Sequence, residues 1–197
     1  FILHRSQQQS FNCDNQSVHT GIDGLRQIER EVDEFAGNLL MPGDLLREWI
    51  SNQRIDLHVL SAIAKRFQVS FEALCIRFIK FTKQRAILVY WDNGFVKYEW
   101  RSSSAVKTRA RIRRNGDPQE PLPGTLVSDA SIEQEWDGTE MSAAVWCPEE
   151  AAHMKLREFK HTYSARDRIL TLLLLENAEP RSWDRSWQDE ESFDSFD

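Results

Sequence analysis

The 197 residues contain only three cysteines, Cys13, Cys75 and Cys147, standing far apart with no C-x-x-C spacing. That scarcity excludes a disulfide-stapled scaffold and a cysteine-rich zinc module. It predicts reduced thiols and a cytoplasmic compartment. Long hydrophobic runs are missing too. The longest aliphatic stretch, Leu170 to Leu175, is interrupted by Thr171 and falls far short of the ~20 residues a membrane helix needs. Phe1-Ile2-Leu3 is too short for the apolar region of a signal peptide, so nothing predicts export. Cations are outnumbered: 25 Lys and Arg face 31 Asp and Glu, a net charge of −6. This argues against nonspecific nucleic-acid binding by the chain as a whole, while leaving room for a local basic patch. What is present is ordinary for a soluble globular protein, with 41% hydrophobic and 28% charged residues. The length suffices for one large domain or two small ones with a real core.

The chain is organised around Ile28 to Pro42. Leu25, Ile28, Val32, Phe35, Ala36, Leu39 and Leu40 recur at helical spacing and share one stripe. Asp23 and Gly24 mark an N-terminal boundary, and Pro42-Gly43 stops the helix. At roughly 100° per residue, Glu29 and Asp33 lie on one flank of the stripe. Glu31 lies on the other, and Arg30 and Glu34 point well away. The stripe is therefore expected to be a buried face bordered by two acids one turn apart. On periodicity alone this is an amphipathic helix with solvated carboxylates.

The same residues, Glu29-Arg30-Glu31-Val32-Asp33-Glu34-Phe35-Ala36-Gly37-Asn38-Leu39-Leu40-Met41-Pro42, closely resemble the E-x-E-A-[ND]-x-F-A-x-x-L-L-M-P signature of the ImmA/IrrE metallo-endopeptidase family. Val32 stands where that signature has Ala. Two further blocks follow the family's order. Phe1-Ile2-Leu3-His4-Arg5 resembles the end of its zinc-binding helix, and Phe67 to Leu74 with Arg77 resembles its F-x-V-S-x-x-A-L-x-x-R segment. The resemblance spans roughly the first half of the chain.

This resemblance implies a zincin-like domain, zinc as cofactor, and cleavage of a helix-turn-helix transcriptional repressor in response to stress. It also implies an H-E-x-x-H helix, whose two histidines bind the metal and whose glutamate is the general base. No H-E-x-x-H occurs in these residues. The general base is expected upstream of Phe1, which makes the chain either a fragment or a degenerate remnant that is inactive as it stands. The resemblance places the third ligand in Glu29-x-Glu31. Glu29 is the choice, because Asp33 one turn on is placed to accept the ring N–H of a ligating histidine; Glu31 is the alternative. With a single carboxylate, zinc binding by these residues is expected to be weak or absent.

Residues 5–20, rich in Ser, Gln and Asn, read as a loop, and His19 within it as a solvated side chain. Asp44 caps a short helix through Trp49 and Ile50. Asp56 opens a helix to Phe67, and Ser70 caps another from Phe71 to beyond Phe81. This last pair also resembles a helix-turn-helix. A recognition helix needs a polar face for base edges, whereas Phe71, Leu74, Cys75, Ile76, Phe78, Ile79 and Phe81 make the second helix apolar almost all round. Packing is the better reading, and nucleic acid is not the expected partner.

From Ala86 the period changes. Ala86–Trp91 and Phe95–Trp100 flank Asn93-Gly94, a hairpin signal. Over Val106–Arg114, Lys107, Arg109, Arg111 and Arg113 alternate with Thr108, Ala110 and Ile112. A strand would line these cations on one face, either as a solvated edge or as a surface for an acidic partner such as phosphate or an acidic peptide. Residues 115–124 are a linker. Leu126–Trp136 and Ala143–Trp146 are expected as strands around Asp137-Gly138, and Glu149–Phe159 as partly helical. Ile169–Leu175 is either strand or buried helix. His153 and His161 read as surface histidines.

Residues 179–197 hold seven acids against Arg181 and Arg185, with Trp183, Trp187, Phe193 and Phe196 interleaved. They read as an acidic, disordered tail with Lys107–Arg114 as an intramolecular target. The expected organisation is α+β: residues 1–83 as the helical back part of a zincin-like metallopeptidase domain, 84–178 as a β-containing accessory region, and 179–197 as the tail.

Overall fold

The computed structural model describes residues 23–51, 53–163 and 167–180; on the first helix it describes the side chains of 31, 32 and 34–40. The expectations for residues 1–22, including His19 and Cys13, and for residues 181–197 lie outside the described residues. The chain divides into two compact units, Phe1–Leu45 and Leu46–Asp197. The described elements are helices and one antiparallel sheet, compatible with the expected α+β class.

In the first unit, α1 runs from Asp23 to Leu40, as its apolar period predicts. The next helix, α2 (Gly43–Ser51), begins one residue before Asp44, so Asp44 sits in its first turn rather than capping it.

The second unit is built on local signals. Asp56 caps α3 (Leu57–Phe67) by accepting from Val59 N at 2.7 Å. Gln68 adopts a left-handed conformation (φ 56°) that ends the helix, and Ser70 caps α4 (Phe71–Phe81) through Ala73 N. Leu74, Cys75, Arg77, Phe78 and Ile79 of α4 are buried, and only Lys80 among Phe71–Lys80 is exposed.

The sheet has the order β2-β1-β5-β4-β3, with β1 Arg85–Asp92, β2 Phe95–Arg101, β3 Gln134–Ser142, β4 Lys155–Tyr163 and β5 Arg168–Leu175. The β1–β2 turn is the expected one, with positive φ at Asn93 (53°) and Gly94 (81°). Ile169–Leu175 resolves as strand, and it is central: Leu172 lies opposite both Leu88 and Phe159. A strand covered on both faces needs no polar alternation, which explains its continuous apolar run.

One sheet face, carrying Ile87, Val89, Trp91 and Leu173, packs on Ala105, Ala110, Ile112, Leu122, Val127 and Trp146. On the other, Arg157 Nη2 donates to Ile55 O at 3.0 Å and Phe71 meets His161, so α3 and α4 approach from that side.

Three sequence expectations fail here. Lys107–Arg114 is not a strand: Ser103–Lys107 is a short helix, α5, and the chain from Arg109 (φ 59°) runs on outside the sheet. The alternation survives nonetheless, with Thr108, Ala110 and Ile112 buried and Lys107, Arg111 and Arg113 exposed. Asp137-Gly138 is not a turn between strands. It is a bulge within β3, where the pairing with β4 shifts between Glu135 and Thr139. Gly138 (φ 85°) lets Phe159 approach so closely that a Cβ would lie 2.4 Å from its ring. Leu126–Ser128 is accordingly a 3-10 turn and Ala143–Trp146 a short helix, α6. Finally, Lys155–Tyr163 is a strand where partial helix was expected, because pairing to β5 and β3 on both edges overrides a weak local pattern.

Candidate functional site

Helix α1 carries the three acids singled out above. Glu29 and Asp33 occupy positions one turn apart on it, and Glu31 lies between. The side chains of Glu29 and Asp33 lie outside the described residues; Glu31 is half-buried. Of the stripe expected to be buried, Ala36 is half-buried and the other described side chains are exposed. Val32 is 42%, Phe35 45%, Leu39 68% and Leu40 55% exposed. Periodicity reports which face of a helix is apolar, not whether anything covers it.

Zinc in a peptidase site takes three protein ligands and keeps a fourth position open. Among the described residues no group of three His, Cys, Asp or Glu is placed to hold a metal ion. Without H-E-x-x-H, the signature contributes carboxylates but no imidazole pair. The donors among the described residues do not by themselves make up a peptidase zinc site.

The basic residues lie on the chain following α5. Lys107 ends that helix, and Arg109 is half-buried. Arg113 N donates to Trp146 O at 2.5 Å, and its Nη2 to Ala144 O at 3.3 Å. Arg111 and Arg113 therefore point outward because Ala110 and Ile112 are pulled into the core between them.

Sequence reasoning missed a cluster around His161, expected as a surface histidine. The imidazole is half-buried, 5.1 Å from the ring of Phe71, 5.5 Å from Trp136 and 4.4 Å from Tyr163. Phe71 and Trp136 stack at 5.7 Å. Gln134 Oε1 lies 2.8 Å from Trp136 Nε1 and 2.8 Å from His161 Nδ1. An indole nitrogen only donates, so the Gln134 atom must be its oxygen and His161 Nδ1 must carry a proton. Burial holds the imidazole pKa below its ordinary value. The available signal was the period-2 set Phe159, His161, Tyr163, three rings on one strand face. His58 joins the edge of the cluster, 5.1 Å from Trp136, and also lines a groove of about 560 Å³ with Trp49 and Arg66. Exposed His153 is as expected.

Buried charge was missed as well. Glu158, fully buried, accepts from Trp146 Nε1 at 3.0 Å and Val127 N at 3.2 Å. Lys160 Nζ donates to Leu126 O at 2.9 Å and Asp129 O at 2.8 Å. Arg85 Nη2 pairs with Glu150 in the interior. These groups order the loops that cover one face of the sheet. Cys75 and Cys147 are buried free thiols, and burial pushes both pKa values up, that of Cys147 to about 12. Neither is a nucleophile at neutral pH.

Among the described residues no helix is long and apolar enough to cross a membrane. Residues 1–78 match the family model described as the IrrE N-terminal-like domain, Peptidase_M78. No curated protein matches the chain.

Proposed function

Because residues 1–78 fall in the IrrE N-terminal-like peptidase family, we propose that α1 is the carboxylate-bearing part of a zinc endopeptidase site. The observation that supports this is the signature from Glu29 to Pro42, carried on the single helix Asp23–Leu40. In this reading Glu29 is the metal ligand and Asp33 orients a ligating histidine. The substrate is a helix-turn-helix repressor of the cytosol. The histidine pair and the general base are not among these 197 residues, so the chain alone does not hydrolyse peptides and holds zinc weakly.

The test is zinc content of the gene's complete product. If an H-E-x-x-H lies upstream of Phe1, that product retains one zinc, Glu29→Gln loses it, and Glu31→Gln keeps it. The reverse ranking transfers the ligand role to Glu31. Retention by both variants removes α1 from the site.

A second reading is a non-catalytic module that binds an acidic regulator. The observation favouring it is the run of outward cations Lys107, Arg111 and Arg113, far in sequence from the peptidase signature. An in-frame start with no H-E-x-x-H before it decides for this alternative.

A further inference from the structure

Residues 107–114 contain five cations and no acid, whereas residues 179–197 carry a net −5 with four aromatic side chains. The fold brings the origin of the second segment to the origin of the first. Arg85 Nε donates to Thr108 Oγ1 at 2.8 Å, and Nη1 of the same guanidinium donates to Glu176 O at 2.6 Å. Glu176 is held there by its own backbone N–H to Lys155 O at 3.1 Å. One buried arginine thus ties the start of the basic run to the point where the chain leaves β5. Beyond that point residues 177–180 are exposed.

The basic run leads to a surface of mixed polar and apolar lining. Arg113 borders an open groove of about 450 Å³ whose other walls include Leu122, Pro123, Ala144 and Val145. Its guanidinium is steered there by the bond to Ala144 O. The path from Thr108 to Arg113 spans at most ~18 Å, and the seven residues from Glu176 to Trp183 extend to ~25 Å. Trp183 and Trp187 are therefore both within reach of the groove, with Asp184 and Asp189 beside them in sequence.

We propose that residues 181–197 dock on this same chain, acids on Lys107, Arg111 and Arg113 and a tryptophan in the groove beside Arg113. Exposed ion pairs are weak singly. Tethering changes the outcome, since a short linker sets an effective concentration of order mM. A contact of only ~0.1 mM affinity is then closed in most molecules. Docking covers the one strongly basic run in the sequence and makes it available only to a partner acidic enough to displace the chain's own segment.

The test is amide NMR of the intact chain, following residues 181–197. At low salt, their signals are expected away from random-coil positions, and raising salt to ~0.5 M, where screening is nearly complete within a few ångströms, returns them there. Arg111→Glu with Arg113→Glu releases the segment at low salt. Adding Asp189→Lys, Glu190→Lys and Glu191→Lys to that variant restores the shifts. Trp183→Ser with Trp187→Ser loses them without changing net charge. Random-coil signals at low salt in the unaltered chain overturn the proposal. So do shifts that persist after charge reversal, and shifts that grow with protein concentration, which indicate docking between two copies.

Discussion

The carboxylate of Glu158 and the indole of Trp146 meet inside the core at 3.0 Å, neither having contact with solvent. The same carboxylate receives Val127 N, while Lys160 two residues on binds the carbonyls of Leu126 and Asp129. Glu158→Leu leaves two buried donors without an acceptor, at a cost of roughly 1–3 kcal/mol each. We expect a loss of about 3 kcal/mol in urea unfolding, with Glu158→Gln losing about half as much, because its amide oxygen keeps one acceptor.

Burial is also the main reason the Glu158 pKa lies above its ordinary value, the bonds from Trp146 and the nearby backbone pulling it partly back. The folded state therefore holds this proton more tightly than the unfolded chain. The contribution of Glu158 to stability is greatest below its unfolded pKa of about 4.3 and declines as pH rises through the folded value. The stability difference between the unaltered protein and Glu158→Gln should shift against the former over that interval. A difference independent of pH refutes the assignment.

His161 behaves in the opposite sense. Burial lowers its pKa, so the neutral form is favoured in the fold. Its contribution is complete above the unfolded value of about 6.5 and is lost as pH falls through the lower folded value. An NMR titration of the ring should give a midpoint below 6.5 with the proton of the neutral ring on Nδ1 facing Gln134. Gln134→Leu removes the acceptor shared with Trp136 and should change the tautomer ratio.

Gly138 and Gly94 separate backbone strain from steric exclusion. Both have positive φ, but a Cβ at Gly94 meets nothing within 4 Å, whereas one at Gly138 strikes Phe159 at 2.4 Å. Gly94→Ala should cost about 1 kcal/mol, the left-handed backbone penalty. Gly138→Ala adds overpacking of roughly 1–3 kcal/mol. Thermal melts of the two variants should rank accordingly, and equal losses count against a bulge locked by Phe159.

Arg85 and Glu150 form an ion pair with each side chain 3% exposed. Breaking such a pair from one side costs about 3–5 kcal/mol, while replacing both partners by apolar groups is often neutral. Arg85→Met should be strongly destabilising. Adding Glu150→Leu should recover part of the loss, but not all, because Arg85 also serves Thr108 and Glu176.

The legible parts of the sequence are those written in short-range chemistry. Asp56, Ser70 and Asn93-Gly94 specify their caps and turn from a few neighbouring residues, and α1 announces itself by period and signature. The illegible parts depend on partners distant in sequence. Asp137-Gly138 has the composition of a turn and becomes a bulge because Phe159 needs the space of a missing side chain. Lys155–Tyr163 is a strand because β5 and β3 flank it. In Lys107–Arg114 the inward and outward positions were legible, since burial of Ala110 and Ile112 needs only alternation. The departure from strand was not, because nothing in the alternation reveals that the run starts in a short helix and turns left-handed at Arg109. His161 looked ordinary because Phe71 and Trp136, which enclose it, lie far away along the chain.

The position of β5 between β1 and β4 also sets an order of events during synthesis. The β1–β2 hairpin is complete once Arg101 emerges, but the inner edge of β1 has no mate until Arg168–Leu175 is made. At ~5–20 residues per second, that edge stays open for on the order of ten seconds. The strand that closes it also joins the β4 ladder, so the sheet is finished by its most apolar strand, inserted last. A ribosome that stalls before Arg168 therefore holds two β-hairpin precursors with open edges, the kind of species a chaperone must cover.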